Sequence, residues 1–162
     1  MRADHAITWR VMAFAELAGR EVHDLLALRQ AVFVVEQACV FPEIDGLDPV
    51  ARHVLGHRGG GLLACARLLP AGTKMAARSI GRVASAQATR GLGLGRAVME
   101  RAIATYLSEE PAAPIELSAQ AHLADRFYAP MGFAVFGEPY DEDGIAHVDM
   151  RLTPPGARSA AE

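Results

Sequence analysis

Apolar residues recur at helical intervals in two stretches of the chain. Residues 21–36 place five of them on one face, and residues 94–109 show the same period with strong helix formers. A shorter helix is predicted over residues 123–131, where Gly132 ends it. The apolar positions of the first stretch are Val22, Leu25, Leu26, Val32 and Phe33.

Short apolar or alternating runs predict seven strands around these helices. Three of them follow one another directly before the second helix. The glycines at 59–61 predict a hairpin turn between the second and third strands, and residues 138–144 predict the turn between the last two. The predicted strands cover residues 7–14, 53–57, 62–69, 78–85, 115–119, 133–136 and 145–152.

The order of these elements indicates the fold class. Three consecutive strands before a helix are typical of a mixed, largely antiparallel sheet, so we predict an α+β fold with six to seven strands. Residues 37–49 contain two prolines and a glycine and predict a loop with room for one helical turn. With no repeat and no linker, we expect one domain over residues 1–152 and a disordered tail over 153–162.

Composition excludes several classes of protein. The chain has 162 residues, 51% hydrophobic and 22% charged, which argues against a wholly disordered protein. Its 16 basic and 19 acidic residues form no basic stripe of the kind that nucleic-acid binders carry. No run is long enough to span a membrane, and the N-terminus lacks the apolar segment of a signal peptide. We expect a cytoplasmic protein that binds neither nucleic acid nor membrane.

Candidate metal and redox sites are absent from the pattern. Cys39 and Cys65 form no CxxC pair, so we expect two buried thiols rather than a disulfide or a zinc site. The acidic segment at 42–48 lacks the twelve-residue calcium pattern, and no metal is predicted. Its acids could bind a cationic ligand, or they could be a solvated loop with helix-capping acids.

A glycine-rich turn carries the clearest functional signal. Arg90-Gly91-Leu92-Gly93-Leu94-Gly95 lies between a predicted strand and the second long helix. Glycine allows backbone N–H groups to approach an anion, and the start of a helix adds unpaired donors and a positive dipole end. The turn could therefore hold a pyrophosphate, or its glycines could serve only tight packing.

Two familiar phosphate motifs fit this turn poorly. A P-loop requires Gly-Lys-Ser/Thr, whereas Arg96 and Ala97 follow Gly95. A dinucleotide fingerprint requires G-x-G-x-x-G in the first βα unit, whereas the spacing here is G-x-G-x-G after about four strands.

The turn resembles a known family instead. Arg90-x-x-Gly93-x-Gly95 is similar to the R/Q-x-x-G-x-G/A motif of the GCN5-related N-acetyltransferase (GNAT) superfamily, and Tyr128 before Gly132-Phe133 resembles its second mark. Further similarity to the ElaA-like branch extends from about residue 7 to residue 152. The similar stretches are FVVEQ (33–37), EIDGLD (43–48), IGRV (80–83), AQAH (119–122) and DGIAH (143–147).

The resemblance implies a GNAT fold with helices on both faces of the sheet, acetyl-CoA as the cofactor and acetyl donor, and a small-molecule or peptide amine as acceptor. It implies that two central strands splay apart, so that the strand at 78–85 offers free backbone groups to the pantetheine arm. The implied cofactor-binding residues are Val83, Ala84, Ser85, Arg90, Gly91, Leu92, Gly93, Leu94, Gly95 and Arg96.

The chemistry implied is direct attack of the amine on the thioester. The backbone N–H of Val83 or its neighbour would serve the oxyanion. Tyr128, still protonated at neutral pH, would be the acid, although it could also be a core aromatic. The central strand has no glutamate as base, so the base stays open among several groups. His122 is the one we predict to be catalytic, because it follows the strand at 115–119, near the expected splay, and histidine has a suitable unperturbed pKa. The candidates are Glu36, Glu43, Asp45, His122 and His147.

The acceptor site is the least defined part of the prediction. Arg29 could reach into the site from its helix or point outward. Two departures from the family are Ala121, where relatives often carry an asparagine, and Pro130 in the last turn of the short helix. The substrate-binding candidates are Arg29, Glu36, Glu43, Asp45 and His147.

Two other functions stay open at this point. One is a CoA-binding module without catalysis, and the other is a phosphate or nucleotide binder outside the family. A homodimer through antiparallel edge strands near the C-terminus is also possible.

Overall fold

A seven-stranded sheet organises the computed structural model, which describes residues 6–157. The strand order is β1-β2-β3-β4-β5-β7-β6, and only β4 and β5 pair in parallel. The mixed, largely antiparallel α+β sheet is therefore confirmed. The strands are β1 Thr8–Ala13, β2 Arg52–Arg58, β3 Gly61–Leu69, β4 Arg78–Ser85, β5 Ile115–Gln120, β6 Phe133–Glu142 and β7 Ile145–Leu152.

Three helical segments pack on this sheet. α1 covers Gly19–Arg29 and continues as a wider π-helical segment over Gln30–Glu36. α2 covers Leu94–Glu109, which are the predicted bounds. α3 begins at Ala121–Leu123 and continues in irregular turns to Met131.

Side-chain alternation along β3 explains why both faces are covered. Ala64, Ala66 and Leu68 belong to the larger core beneath α2 and α3. Cys65 points the other way, into a smaller core with Leu25 of α1. Because alternate residues of a strand face opposite sides, an almost wholly apolar strand requires a helix on each side.

The two central strands separate soon after they begin. β4 and β5 pair only at Arg78 with Ile115 and at Ser79 with Glu116. Beyond these two positions the strands diverge, which confirms the expected splay. The rest of β4 therefore has no strand partner on its β5 side.

A bulge in β4 lies beside this opening. Arg67 pairs with Gly81 and Cys65 pairs with Ala84, so Arg82 and Val83 have no register partner on β3. Arg82 adopts a left-handed backbone with φ of 51°. This conformation costs a residue other than glycine about 1–3 kcal/mol, so the surrounding contacts must hold it.

The last hairpin differs from the sequence-based expectation. Residues 138–144 were expected to form its turn, but β6 continues to Glu142. Gly137, with φ of 75°, absorbs an irregularity in the ladder, and pairing resumes at Tyr140. The tight turn is therefore Asp143-Gly144, where both residues have positive φ.

The C-terminal tail is described in part. Pro154 is buried, and the N–H of Ala157 donates to its carbonyl at 3.1 Å. Residues 158–162 lie outside the described part, so disorder of the tail stays a prediction. No helix within residues 6–157 is long and apolar enough to cross a membrane.

Candidate active site

The glycine turn presents backbone donors at the start of α2. Gly91 and Gly93 have φ of 82° and 74°, which a side chain would strain. The first bond within the helix runs from the N–H of Ala97 to the carbonyl of Gly93 at 3.0 Å. The N–H groups of Leu94 and Gly95, and that of Arg96 after them, precede this bond and have no acceptor within the helix.

Not every N–H of the turn is free for a ligand. The N–H of Arg90 donates to the carbonyl of Gln87 and that of Leu92 donates to the carbonyl of Thr89, each at 3.2 Å. These two residues therefore shape the turn rather than offer donors. Among the predicted cofactor-binding positions, the available donors are concentrated at Gly93 to Arg96.

The space beside the glycines of the turn is open. A Cβ added to Gly91 or Gly93 would meet nothing within 4 Å. At Gly95 it would meet Phe127 at 3.5 Å, which is ordinary van der Waals contact. The backbone conformation at Gly95 does not require glycine, and no neighbouring atom is too close for a Cβ. Close approach of a ligand to the backbone would require glycine there.

The arginine side chains of the turn are bound on the surface. Arg90 Nη2 donates to Glu36 Oε2 at 2.7 Å, and this hydrogen bond lowers the pKa of Glu36. Arg96 pairs with Glu100 one helical turn later, at 2.9 Å. Glu36 is thus tied to the edge of the glycine turn and does not line the cavity described next.

A cavity of about 600 Å³ opens where β4 and β5 diverge. The bulge of β4 forms one wall, and Ser118 and Gln120 of β5 form the other. The remaining walls come from the loop after the π-helical segment and from the β6–β7 hairpin. Its chemistry-bearing lining includes Cys39, Asp45, Arg67, Lys74, Arg82, Tyr128, Glu142 and His147.

Tyr128 lies at this cavity with its ring buried. The ring packs edge to face on Phe127 at 4.9 Å and lies 6.3 Å from Phe133, so the aromatic packing expected of a core residue is present too. Within the described residues, its hydroxyl has no hydrogen-bond partner. Burial raises the pKa of Tyr128 to about 12, so the hydroxyl keeps its proton at neutral pH.

The two candidate histidines lie in different places. His122 is exposed on α3 and is not among the residues that line the cavity. His147 lines the cavity, and its Nδ1 lies 2.8 Å from the carbonyl of Ile145. A carbonyl only accepts, so Nδ1 carries the proton and Nε2 of the neutral ring is the acceptor. Nε2 lies 3.6 Å from a carboxylate oxygen of Glu142.

The acids of the loop at 43–48 are not free. Arg29 is fully buried and binds Glu43 and Asp48, so it neither points outward nor reaches the cavity. Asp45 lines the cavity, but Arg67 and Arg82 bind it. Burial alone would raise the pKa of Asp45, but the hydrogen bond and charge of Arg67 hold it well below its usual range.

Both earlier interpretations of this loop therefore need correction. Glu43 and Asp48 are buried, which excludes a solvated loop at these positions. Their carboxylates are bound by arginines of the same chain, which leaves no acid of the loop unpaired for a cationic acceptor. We do not retain Arg29 or Glu43 as acceptor-binding residues.

Arg67, Arg82 and Glu142 line the cavity but are not among the residues predicted from the sequence. A signal existed for Arg67, because an arginine inside the apolar run 62–69 must find a buried partner. Arg82 lies in the stretch IGRV, and its sequence neighbours give no sign that it binds the acids of the loop.

Metal and cysteine chemistry add little at this cavity. Among residues 6–157, no group of three or more His, Cys, Asp or Glu side chains is placed to hold a metal. Both cysteines are free: Cys65 is buried, while Cys39 is half-buried at the cavity rather than fully buried as expected.

Known proteins resemble this chain over most of its length. The family described as "Acetyltransferase (GNAT) domain" matches residues 67–154. The UPF0039 protein sll0451 of Synechocystis sp. is 42% identical over 153 residues, which cover 93% of this chain and 99% of that protein.

Two solved structures are also similar. For an acyl-CoA N-acyltransferase from Pseudomonas aeruginosa, the TM-score is 0.86 at 43% identity, covering 91% of this chain and 100% of the other. For Escherichia coli ElaA, the TM-score is 0.83 at 39% identity, covering 90% and 99%.

Proposed function

Because the chain belongs to the GNAT acetyltransferase family, in its ElaA-like branch, we propose that it transfers an acetyl group from acetyl-CoA to a primary amine by direct attack. The observation that carries the proposal is the opening between β4 and β5, with a cavity on one side and a turn of free N–H donors at the end of β4. Acyl-CoA supplies the activated thioester carbonyl.

The glycine turn and β4 would hold the donor. The N–H groups from Gly93 to Arg96 would bind the pyrophosphate. The backbone from Val83 to Ser85, which has no strand partner on the β5 side, would pair with the extended pantetheine arm. The N–H of Val83, in the bulge, would donate to the carbonyl oxygen as negative charge develops there.

Tyr128 would be the general acid. Its hydroxyl is protonated at neutral pH, lines the cavity and has no partner within the described residues to compete for its proton. A departing thiolate requires a proton, because a free thiol has a pKa of about 8.5.

His147 is the base that the geometry favours over His122. Its Nε2 can take a proton from the attacking amine, directly or through water, and the carboxylate of Glu142 stabilises the charged ring that results. Gln120 pairs directly with His147 across the sheet, which places the histidine beside the open end of β5.

Calorimetric titration with acetyl-CoA tests the donor site. We expect Gly95→Ala to lose about tenfold or more in affinity, because its Cβ occupies the space that the ligand needs, while thermal stability holds or rises, since alanine favours a helix by about 1 kcal/mol. Gly19→Ala is the control, because it adds a Cβ at the start of another helix, where that Cβ meets nothing within 4 Å. Equal affinity in all three proteins would refute the assignment of this turn.

A panel of amines read by release of the CoA thiol tests turnover. The panel contains monoamines, diamines, an amino sugar and a lysine peptide. Thiol release that depends on one class of amine supports the enzyme. Tight acetyl-CoA binding without release from any amine supports the module without catalysis, which would use the glycine turn but have no need of Tyr128.

A further inference from the structure

Three arginines and three acids form a closed ring of alternating charge beside the cavity. Each arginine contacts two of the acids, and each acid contacts two of the arginines. The ring runs Arg29–Glu43–Arg82–Asp45–Arg67–Asp48 and back to Arg29, with N···O distances of 2.6, 2.8, 3.3, 2.7, 3.2 and 2.6 Å.

The ring joins four separate parts of the fold. Arg29 comes from α1, Arg67 from β3 and Arg82 from β4, while the loop at 43–48 supplies all three acids. Four members are buried, namely Arg29, Glu43, Arg67 and Asp48, while the side chains of Arg82 and Asp45 are 16% and 23% exposed. With three charges of each sign, the ring is neutral, so removal of one member leaves an unpaired buried charge.

Arg82 has a position that no other member has. It is the residue with positive φ in the β4 bulge, directly before Val83. Its Nε lies 2.8 Å from Glu43, its Nη2 lies 3.3 Å from Asp45, and its guanidinium lies 5.7 Å from the ring centre of Phe41. A strained backbone conformation persists where its surroundings impose it, and here the contacts of the side chain are those surroundings.

We propose that Arg82 is a positioning residue for the acyltransfer reaction. Its two ion pairs hold the bulge, in which Val83 has no register partner on β3, and so keep the N–H of Val83 available to the reacting carbonyl. The same contacts hold the loop at 41–48 as a wall of the cavity. This inference rests on the proposed function, and it assigns Arg82 no contact with either substrate.

The proposal separates the turnover step from donor binding. The glycine turn begins eight residues after Arg82 and does not depend on the ring. Loss of Arg82 should therefore lower kcat much more than it weakens acetyl-CoA binding, because the N–H donors for the pyrophosphate stay in place. An arginine that only stabilised the fold would lower the Tm without changing the kcat of the protein that remains folded.

Three variants and one control test this proposal. Arg82→Met with Glu43→Gln removes one charge of each sign, so the ring stays neutral. Arg82→Lys keeps the charge but replaces a fork that reaches two acids with a single point donor. Arg82→Gly removes the side chain and tolerates the left-handed backbone. Arg52→Met is the control, because Arg52 forms an ion pair with Glu109 outside this cavity.

For each variant we would measure Kd for acetyl-CoA, kcat and KM with the best amine, and thioester hydrolysis without amine. We expect kcat and hydrolysis to fall about 10- to 100-fold in the double variant, as misplacement of reacting groups by about 1 Å does, with partial recovery in Arg82→Lys. Arg82→Gly should lose as much as the double variant, because the ion pairs, not the backbone preference alone, hold the bulge.

The outcomes separate this proposal from the proposed function. If wild-type protein neither binds acetyl-CoA nor releases thiol, both proposals fail. If wild-type protein turns over, and Arg82→Lys and the double variant both have the kcat of wild type, only the role of Arg82 is overturned. If the double variant does not fold, Arg82→Lys and Arg82→Gly are compared with wild type instead. A fall in kcat that exceeds the change in Kd supports the role of Arg82, and an unchanged kcat overturns it.

Discussion

Two buried tyrosines show how one residue type takes different roles by the partners of its hydroxyl. Tyr106 donates to the carbonyl of Leu69 at 2.8 Å and lies 3.0 Å from that of Ser79, so its hydroxyl is used inside the fold. Tyr128 is also buried and packs on Phe127, but it lines the cavity and its hydroxyl has no described partner. The first hydroxyl supports structure, whereas the second is available for chemistry.

We expect Tyr128→Phe to lower kcat about 10²- to 10⁴-fold, the range that a general acid contributes. Acetyl-CoA affinity and Tm should change little, because the ring packing remains and no partner loses a hydrogen bond. The measurement is kcat from pH 6 to 9 together with calorimetry. Unchanged kcat over that range would remove Tyr128 as the acid.

Tyr106→Phe is the contrasting control for this prediction. It leaves buried carbonyls without a donor, which costs about 1–3 kcal/mol of unfolding free energy. We expect its kcat to be retained while its urea midpoint falls, the reverse of the result for Tyr128→Phe.

At the scale of elements, one continuous segment builds the donor site. β4 pairs with β5 at its start, bulges at Arg82 and Val83, and then leads through a short turn into α2. The unpaired backbone and the free helix donors therefore lie within about fifteen residues of one another along the chain. An extended ligand can pair with the open backbone of β4 and place its anionic end at the N–H donors at the start of α2.

Hydrogen exchange on adding acetyl-CoA should report this segment directly. We expect slower amide exchange at Val83 and in residues 93–96, because a bound ligand would accept from their open N–H groups. Arg78 and Ser79, which already pair with β5, should not change. Tyr106 and Arg151 line a separate groove, and protection there in place of Val83 and residues 93–96 would contradict the assignment.

At the scale of the whole molecule, the charge ring connects α1 and the loop to the middle of the sheet. The pKa of Asp48, a member of this ring, is shifted from its ordinary value. Burial raises its pKa, but hydrogen bonds and charge from Arg29 and Arg67 outweigh burial and place the pKa below the usual value. Asp48 therefore stabilises the fold above its unfolded pKa of about 3.9, and this contribution is lost as the pH falls below that value.

We expect Asp48→Asn to lower the unfolding free energy by about 3–5 kcal/mol at pH 7, because it leaves buried arginine charge unpaired. The difference from wild type should narrow as the pH falls below about 4. Urea denaturation at pH 7, 5 and 3.5 measures both effects. Asp24→Asn, in an exposed pair with Arg20, should change stability by less than about 1 kcal/mol. A pH-independent difference would contradict the ion-pair explanation.

Association between copies of the chain remains a prediction at this scale. β6 is the C-terminal edge strand, but Pro139 and the irregularity between Phe136 and Tyr140 interrupt it. A dimer through this edge would be limited to the regular stretch around Val135, which is 49% exposed. Light scattering of wild type and Val135→Lys tests it, and a dimer that survives the substitution would place the interface elsewhere.

Local pattern along the chain accounts for several features of the protein. The bounds of α2, the hairpin at the three glycines and the order of elements along the chain follow from periodicity and turn residues, which act between neighbours in the chain. The turn at Gly91 to Gly95 was found in the same way, because backbone freedom and helix donors are local properties. The end of β6 was missed, since Gly137 permits a bulge that lets pairing continue past a turn-like stretch.

Which charged groups are free to act depends on contacts between parts of the chain that are distant in sequence. In the folded chain, arginines from α1, β3 and β4 bind the carboxylates of Glu43 and Asp45. His147 lines the cavity, whereas His122 lies outside it. These residues are far apart in the chain, and their contacts depend on how strands register and diverge. A residue type states what chemistry is possible, but its partners in space set its charge, its burial and its access to a substrate.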